Sequence, residues 1–374
     1  MTKHEFRTVR FSKSSIPFLI VLMLTLLVSA CSSNNNTNSS QEAAATASNE
    51  TASNEAASSD TSSTSTSSTS ESSEKALIPI TQITNWYAQA EHGGNYTALA
   101  KGFYKDAGFD MTITPGVNVS GTQLLLSGKA QFAMSSSDEV LVARDQGIPV
   151  VAILGTFQKS PQSFTYHEGQ GIKSIEDLNG RTVYVSNGIT YWEFLKKKFD
   201  LSKTKQMKYN YELASFMADD KSVVQSYITA EPYVLDQQGV KVGSLLIADY
   251  GYSPYANVMI TTESFLKEHP DEVQAFVDAT IKGWDYYKDH SDEINPSILK
   301  ENPDESLDRF AYSSKALQPL VYGGDAETKG VGTMTTERWE EMNKQLLDLG
   351  VIKKSQDVSK AFTDEFVEKA NAAK

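Results

Sequence analysis

The sequence predicts an α/β fold with two lobes, and three of its features lead to this expectation. Its 374 residues are enough for two domains, or for one domain with two lobes. Short β-rich runs alternate with helical stretches, which is typical of α/β layering. After a second such unit, the apolar run Asn257–Thr261 brings the chain back to the first. No repeat with a period of about 20–50 residues is visible, so we set solenoids and propellers aside.

Within the first unit, apolar runs separated by turn residues predict strands and helices in alternation. The predicted strands are Leu77–Ile83, Phe109–Ile113, Ala130–Met134 and Pro149–Phe157. The predicted helices are Tyr96–Ala107, Gly121–Ser127 and Asp138–Gln146, the last of which ends at Gly147.

The second unit continues the alternation. A helix start is predicted at Ser174, because Asp177 completes a capping box with it. The predicted strands are Arg181–Val185, Lys208–Leu213 and Val242–Ala248, and the predicted helices are Tyr191–Phe199 and Lys221–Thr229. Beyond the return strand we predict amphipathic helices at Pro270–Tyr287, Pro303–Tyr312, Thr336–Leu349 and Ser359–Ala370.

Two crossovers join the units and define the lobes. We place them near Tyr166–Gly169 and Ser253–Ala256, so that residues 75–166 and 256–374 form lobe 1 and residues 167–255 form lobe 2. Ligands of open α/β sheets bind beyond the carboxyl ends of the strands. Two lobes that face each other would therefore enclose one cleft, which a hinge can close.

The first 30 residues have the order of a secretory signal peptide. Residues 1–15 carry four basic side chains, residues 16–28 are almost wholly apolar, and small residues follow. The apolar run is shorter than the ~20 residues that a transmembrane helix needs. Val28–Cys31 resembles a bacterial lipobox, in which the cysteine is diacylated. We therefore expect a lipid anchor at Cys31 on the extracytoplasmic face of the bacterial cell membrane; the alternative is an ordinary signal with an incidental cysteine.

The next segment, residues 32–74, has the composition of a disordered tether. Of its 43 residues, 29 are Ser, Thr or Asn, six are acidic, and none is aromatic or basic. Such a segment cannot bury enough apolar surface to offset its chain entropy. Residues 31–74 are therefore expected to form a flexible tether between the membrane and a folded domain.

Charge and cysteine content exclude several classes of function. The chain has 34 basic and 47 acidic side chains, a net charge of −13, which argues against nucleic acid as the main partner. Its single cysteine excludes an intramolecular disulfide and any metal centre built from several thiolates. We expect no cofactor, no metal and a monomeric protein.

Four blocks of sequence resemble one family. They are NWYAQAEHGGNYTALAKGFYKDAGFDMTI, SGKAQFAMSSSDEVLVARDQGIPVVAI, GIKSIEDLNGRTVYV and QSYITAEPYVLDQQG. Together they resemble the solute-binding proteins of ABC importers in the thiamine-pyrimidine and nitrate/sulfonate/taurine group, over roughly residues 77–290. The resemblance implies a type II periplasmic-binding fold, in which two α/β lobes are joined by a two-strand hinge, and an ABC permease as partner.

Candidate ligand-binding residues of lobe 1 follow the ends of predicted strands. After the first strand, Trp86 would stack on a flat ligand and Asn85 would hydrogen-bond its edge; alternatively, Trp86 fills the core. After the third strand, Ser136 and Asp138 open a helix, where free N–H and hydroxyl groups attract polar ligand edges. The alternative for Ser136 is simple helix capping.

The resemblance adds three residues to lobe 1. His92 falls on the family's loop histidine, and the two glycines after it would let the backbone approach a ligand. Tyr96 follows at a helix start, and Gln158 matches a family position that faces the cleft. The alternatives are a surface position for His92 and core packing for Tyr96.

The corresponding rim of lobe 2 starts at Thr190. Glu193 falls on the glutamate that ends this turn in pyrimidine-binding relatives, where a carboxylate would accept two N–H bonds of an aminopyrimidine. Tyr191 and Trp192 would supply the second face of an aromatic clamp; alternatively, Trp192 packs the lobe and Glu193 is solvated. No arginine lies on this turn, which disfavours sulfonate, nitrate and phosphate. On another rim, Glu231 is expected to be a polar contact or a hinge anchor.

We therefore expect a solute-binding lipoprotein of an ABC importer, not an enzyme, with a small flat nitrogen heterocycle as ligand. A pyrimidine precursor of thiamine is the first choice. The alternatives are a flavin-like vitamin and an aliphatic sulfonate such as taurine. Two other classes of function stay open. One is an enzyme similar to the family's pyrimidine synthases, although residues 75–374 lack their Cys-rich motif. The other is a surface interaction protein with a vestigial cleft.

Overall fold

The computed structural model describes residues 76–374, in which ten strands and fourteen α-helices are formed. The strands are β1 (Ile78–Ile83), β2 (Phe109–Thr114), β3 (Phe132–Ser135), β4 (Val150–Phe157), β5 (Gln162–His167), β6 (Thr182–Val185), β7 (Lys205–Lys208), β8 (Val223–Tyr227), β9 (Val242–Leu246) and β10 (Ala256–Thr262). The predictions for the signal peptide, Cys31 and the tether lie outside the described residues.

The helices surround the sheets and are concentrated in the C-terminal third. They are α1 (Gly93–Ala100), α2 (Phe103–Asp106), α3 (Gly121–Leu126), α4 (Ser137–Asp145), α5 (Thr190–Lys198), α6 (Ala214–Met217), α7 (Glu231–Gln237), α8 (Glu263–Glu268), α9 (Pro270–Glu301), α10 (Leu307–Val321), α11 (Ala326–Lys329), α12 (Thr336–Leu349), α13 (Val358–Ala361) and α14 (Glu365–Ala372). Among these helices, none is both long enough and apolar enough to cross a membrane.

The first sheet has the strand order β2-β1-β3-β10-β4. Strand β1 runs parallel to β2 and β3, whereas β10 is antiparallel to both β3 and β4. Strand β10 enters this sheet after the chain has completed the second one. The return to the first unit that the sequence predicts is therefore present.

The second sheet has the order β7-β6-β8-β5-β9, with β6 parallel to β7 and β8. Strand β5 belongs to this sheet, because it pairs antiparallel with β8 and β9. The first crossover thus occupies residues 158–161, earlier than the predicted Tyr166–Gly169, and the second occupies residues 247–255. The chain therefore forms two α/β lobes that are joined by two crossovers.

Two predicted elements of the second lobe are wrong. The predicted helix Lys221–Thr229 is strand β8, whose Val223 and Val224 are fully buried near the centre of the second sheet. Its β-branched residues suit a strand that is covered on both faces. The predicted strand Lys208–Leu213 is mostly loop, because β7 ends at Lys208. This ending places the residues that follow at the edge of the sheet, where ligands bind.

Glycines bring α1 close to the long helix α9. A Cβ on Gly94 would lie 2.2 Å from the ring of Trp284, and one on Gly283 would lie 2.1 Å from the carbonyl oxygen of Gly94. A side chain at either position would force the helices apart, since real Cβ atoms do not approach other atoms so closely. Glycine is therefore required here for the contact that holds the loop before α1 in place.

We predict that Gly283→Ala lowers the free energy of unfolding by about 1–3 kcal/mol or more, because the added methyl overpacks the contact between α1 and α9. Urea denaturation would measure the change. Leu99→Ala, on the exposed side of α1, is the control and should cost much less. Equal midpoints for the two variants would contradict this account of the glycine contact.

Candidate ligand-binding site

A cavity of about 360 Å³ lies between the lobes and is lined by residues of both sheets. On the first sheet, β1 and β3 are parallel neighbours, so their carboxyl ends bring Asn85 and Ser135 to one edge. On the second sheet, the parallel strands β6, β7 and β8 bring Tyr209 and Tyr227 to the facing edge. The cavity therefore occupies the place where ligands of α/β sheets bind.

Five of the predicted binding residues line this cavity. They are Asn85, Trp86, Ser136, Asp138 and Glu231. All five follow the end of a strand directly or begin the helix after it. Their roles toward a ligand stay predictions.

The aromatic wall of the cavity comes from both lobes. The side chain of Trp86 is 39% exposed, and its ring centroid lies 5.9 Å from that of Tyr211, which is 63% exposed. The ring of Tyr209 lies 5.3 Å from Tyr211 on the lobe 2 side. Tyr211 has a φ of 66°, an uncommon conformation for an aromatic residue. The structure thus holds an exposed tyrosine of lobe 2 against the indole of lobe 1.

The aromatic clamp is not made by Tyr191 and Trp192, which the structure places in the core of lobe 2. Trp192 is 1% exposed, its ring packs on Phe164, and its Nε1–H donates to Gln206 Oε1 at 2.9 Å. Tyr191 is buried against the same phenylalanine. Both belong to the apolar face of α5, which must pack on the sheet.

The other two residues of this turn also lie away from the cavity. The side chain of Glu193 is 44% exposed and pairs with Lys196 at 2.9 Å, on the solvent side of α5. Thr190 begins α5 and lines an adjacent surface groove instead of the cavity. The predicted bidentate carboxylate at this rim is therefore not at Glu193.

Three predicted residues of lobe 1 are buried and do not line the cavity. Gln158 donates from Nε2 to the carbonyl oxygens of Gly155 and Thr333, at 3.1 and 2.8 Å. Tyr96 is buried in the helical core, and His92 has 0% exposure. Gly93 and Gly94, which follow His92, pack against Tyr287 and Trp284 of α9.

His92 instead ends a chain of hydrogen bonds that orients Asn85. The main-chain carbonyl of Glu91 can only accept, so Asn257 donates to it from Nδ2 at 2.9 Å. The Oδ1 of Asn257 then accepts from Asn85 Nδ2 at 2.9 Å, which leaves Asn85 Oδ1 to accept from His92 Nε2–H at 2.9 Å. Burial lowers the pKa of His92 to about 3, so the imidazole is neutral and carries its single proton on Nε2.

Four carboxylates line the cavity: Glu91, Asp138, Glu139 and Glu231. Burial raises the pKa of Glu91, although a hydrogen bond from Thr229 partly offsets it. Burial also raises the pKa of Glu231, whose Oε2 accepts from the Tyr227 N–H at 2.7 Å.

The environment of Glu139 differs, because this residue is exposed although it also lines the cavity. Partial loss of solvation is the main cause that raises the pKa of Glu139, and the negative charge of the neighbouring Asp138 raises it further. Asp138 itself accepts from the Tyr252 hydroxyl at 2.6 Å. Arg309, which also pairs with Glu305 at 3.2 Å, is the one Lys or Arg among the described residues that line the cavity.

Sequence reasoning missed several lining residues. Glu91 stands next to His92, but no pattern in the sequence indicated that the glutamate, and not the histidine, lines the cavity. Tyr209 and Tyr211 fell inside a predicted strand, whereas β7 ends at Lys208 and both residues line the cavity. Arg309 comes from α10, far along the chain, and no local signal in the sequence links it to the cleft. Within residues 76–374, no group of three or more His, Cys, Asp or Glu is arranged to hold a metal ion.

The fold and the cleft define a two-lobed α/β binding protein. Residues 89–294, more than half of the chain, match the family described as NMT1/THI5 like. The chain therefore belongs to the NMT1/THI5-like family, as its sequence blocks indicated.

Two relatives and one solved structure extend the comparison. Riboflavin-binding protein RibY of Chloroflexus aurantiacus is 27% identical over 309 residues, which cover 79% of this chain and 88% of the relative. The formylaminopyrimidine-binding protein of Halalkalibacterium halodurans is 26% identical over 292 residues, 72% of this chain and 84% of the relative. The periplasmic aliphatic sulphonate-binding protein SsuA of Escherichia coli has a TM-score of 0.61 at 11% identity, covering 76% of this chain and 92% of SsuA. The predicted periplasmic-binding fold is confirmed.

The depressed pKa of His92 gives a testable pH dependence. Below pH 6.5 the unfolded chain binds a proton at this residue that the folded protein excludes until about pH 3. Stability is therefore lost as the pH falls through this window, by up to about 1.4 kcal/mol per pH unit. His92→Gln removes the titrating group and keeps a donor toward Asn85, so its stability should fall less steeply with acidity.

Urea denaturation at pH 4.5, 5.5 and 7 would measure these slopes. His290→Gln, at an exposed histidine, is the control and should keep the wild-type slope. If His92→Gln also keeps the wild-type slope, the folded protein accepts a proton at His92 and burial does not lower its pKa as described.

Proposed function

We propose that the protein is the extracytoplasmic solute-binding component of an ABC importer and that it binds a flat nitrogen heterocycle with amino groups. A pyrimidine precursor of thiamine is the first candidate. The observation that carries this proposal is a cavity between two lobes that presents an accessible indole, Trp86, together with four carboxylates. The protein binds and releases its ligand without a reaction.

The carboxylates favour a ligand that is rich in N–H groups. Removing a carboxylate from water is costly unless hydrogen-bond donors replace the water. Thr229 and the Tyr227 N–H supply one donor each to Glu91 and Glu231, and a carboxylate can accept about four hydrogen bonds. An aminopyrimidine offers ring-bound amino groups that would fill the vacant acceptor positions through charge-assisted bonds.

The same charges disfavour a sulfonate. An anion in this cavity would meet four carboxylates and one arginine, Arg309, which already pairs with Glu305. The likeness to SsuA, at 11% identity, concerns the fold. We therefore place taurine and other aliphatic sulfonates behind the heterocycles.

The aromatic wall supplies the flat surface that a heterocycle needs. A ligand ring stacked between two protein rings requires about 7–8 Å between the planes of the protein rings, because each stacking contact takes about 3.5–4 Å. The 5.9 Å between the Trp86 and Tyr211 centroids leaves no room for such a ring. A ligand must either stack on Trp86 alone or move Tyr211 away, so we expect the lobes to separate slightly before the ligand enters.

The relatives support this class of ligand. One is named for riboflavin and the other for formylaminopyrimidine, and both names describe binding proteins. A flavin-like vitamin is accordingly the second candidate. The proposal has four further parts. We expect that residues 1–30 are removed and that a lipid anchor is attached at Cys31. We also expect a monomeric protein with an ABC permease as its partner.

Calorimetry with an aminopyrimidine, riboflavin and taurine would test the ligand class. We expect one of the heterocycles to bind and taurine not to bind. Tight binding of taurine without binding of either heterocycle would overturn the proposal.

Two substitutions would test the placement of the ligand. We predict that Trp86→Ala and Glu231→Gln each weaken binding of the heterocycle by about tenfold or more, about 1.4 kcal/mol, because each removes a contact group from the cavity. Glu193→Gln makes the same chemical change on the solvent side of α5 and serves as the matched control, with an affinity within about twofold of the wild type. Unchanged affinity in both cavity variants would show that the ligand binds elsewhere.

A further inference from the structure

A second cavity of about 330 Å³ lies in lobe 1, next to the cavity between the lobes. The two cavities share three lining residues, Asn85, Ser135 and Glu139. We call the second cavity the side chamber. It lies between helices α3 and α4 and the first sheet, and Glu139 and Ala143 of α4 form part of its wall.

Most polar groups of the side chamber are already used by the fold. The Thr84 hydroxyl donates to the Trp86 carbonyl at 2.7 Å, and Ser120 Oγ caps α3 by accepting from the Gln123 N–H at 3.3 Å. The base of the chamber is apolar, with side chains such as Val150 from β4. Recognition in the chamber must therefore come from the residues at its shared wall.

Glu139 is the group at the shared wall that can recognise a ligand. Its Oε2 accepts from Ser135 Oγ at 2.9 Å, which leaves further acceptor positions on the carboxylate. The side chain keeps accessible surface and lines both cavities. A hydroxyl or amine donor that enters the side chamber from the main cavity can hydrogen-bond this carboxylate.

The volumes indicate a ligand larger than a bare ring. Cavities that hold a whole ligand measure about 300–1,000 Å³, and each of these two cavities is at the lower end of that range. A single heterocycle beside Trp86 would leave the side chamber unfilled. A ligand with a substituent of its own would use both.

We propose that the ligand has two parts: a flat heterocycle beside Trp86, and a side chain with hydroxyl or amine donors that enters the side chamber and hydrogen-bonds Glu139. This inference rests on the proposed function, since it assumes that a heterocycle occupies the main cavity. It adds that the side chamber selects among heterocycles by their substituents.

Two matched pairs of probes would test the proposal by calorimetry. One pair is riboflavin and lumichrome, which has the ring system without the hydroxylated side chain. The other is N-formyl-4-amino-5-aminomethyl-2-methylpyrimidine and 4-amino-2,5-dimethylpyrimidine. We expect the member with the side chain to bind at least about tenfold more tightly in one pair. Equal affinities within both pairs would overturn the inference and leave the proposed function standing, whereas no binding by any of the four would refute both.

Filling the side chamber would locate the effect. Ala143→Leu adds volume to the chamber wall, so the advantage of the probe with the side chain should fall to less than about threefold. Ala100→Leu, at the exposed end of α1, is the matched control and should keep the full advantage. An advantage that survives Ala143→Leu would overturn the proposal.

Glu139→Gln keeps the shape of the wall and removes the carboxylate. It is the test variant to use if a melting curve shows that Ala143→Leu is unfolded. We expect this variant also to lose most of the advantage, because the donor of the side chain loses its charged acceptor. An unchanged ratio between the two probes would exclude Glu139 as the recognising group.

Discussion

Glu91 is the buried acid on which the geometry of the cleft depends. Its carboxylate accepts from Thr229 of lobe 2, and its main-chain carbonyl accepts from Asn257 at the start of the return strand. An uncompensated buried carboxylate would cost several kcal/mol, so these contacts must be kept in the folded protein. They join the segment before α1, lobe 2 and the return strand β10 at one point. The cavity forms where these three parts of the chain meet, and neither lobe could build it alone.

The same burial that shapes the cleft also restricts what can bind in it. Carboxylates that face a cavity need positive or donor groups, and among the described residues Arg309 is the one Lys or Arg that lines it. A ligand with N–H groups completes the hydrogen bonding that the protein leaves incomplete, whereas an anion adds a further unfavourable charge. The indole of Trp86 adds a flat apolar surface. Charge and shape therefore favour the same class of ligand, a planar heterocycle that donates hydrogen bonds.

The sequence predicted the parts of the site that follow local rules. Asn85 and Trp86 come directly after a recognisable strand, and parallel pairing alone brings them to the edge of the sheet. Trp192 was misplaced because an aromatic residue near a helix start can face a cleft or a core, and only the orientation of the helix decides which. Tyr211 was missed because the predicted strand Lys208–Leu213 included it, whereas β7 ends at Lys208. Arg309 could not be found at all, since its place depends on how a distant helix packs.

The quenching of tryptophan fluorescence by acrylamide tests the central claim most directly. All four tryptophans lie in residues 76–374, and three of them are at most 1% exposed, whereas Trp86 is 39% exposed. Acrylamide should therefore reach one indole, and a saturating aminopyrimidine should shield it by stacking on its face. The account predicts a clear fall in the quenching constant when the heterocycle is bound. Binding that is measured by calorimetry but leaves the quenching constant unchanged would contradict the account.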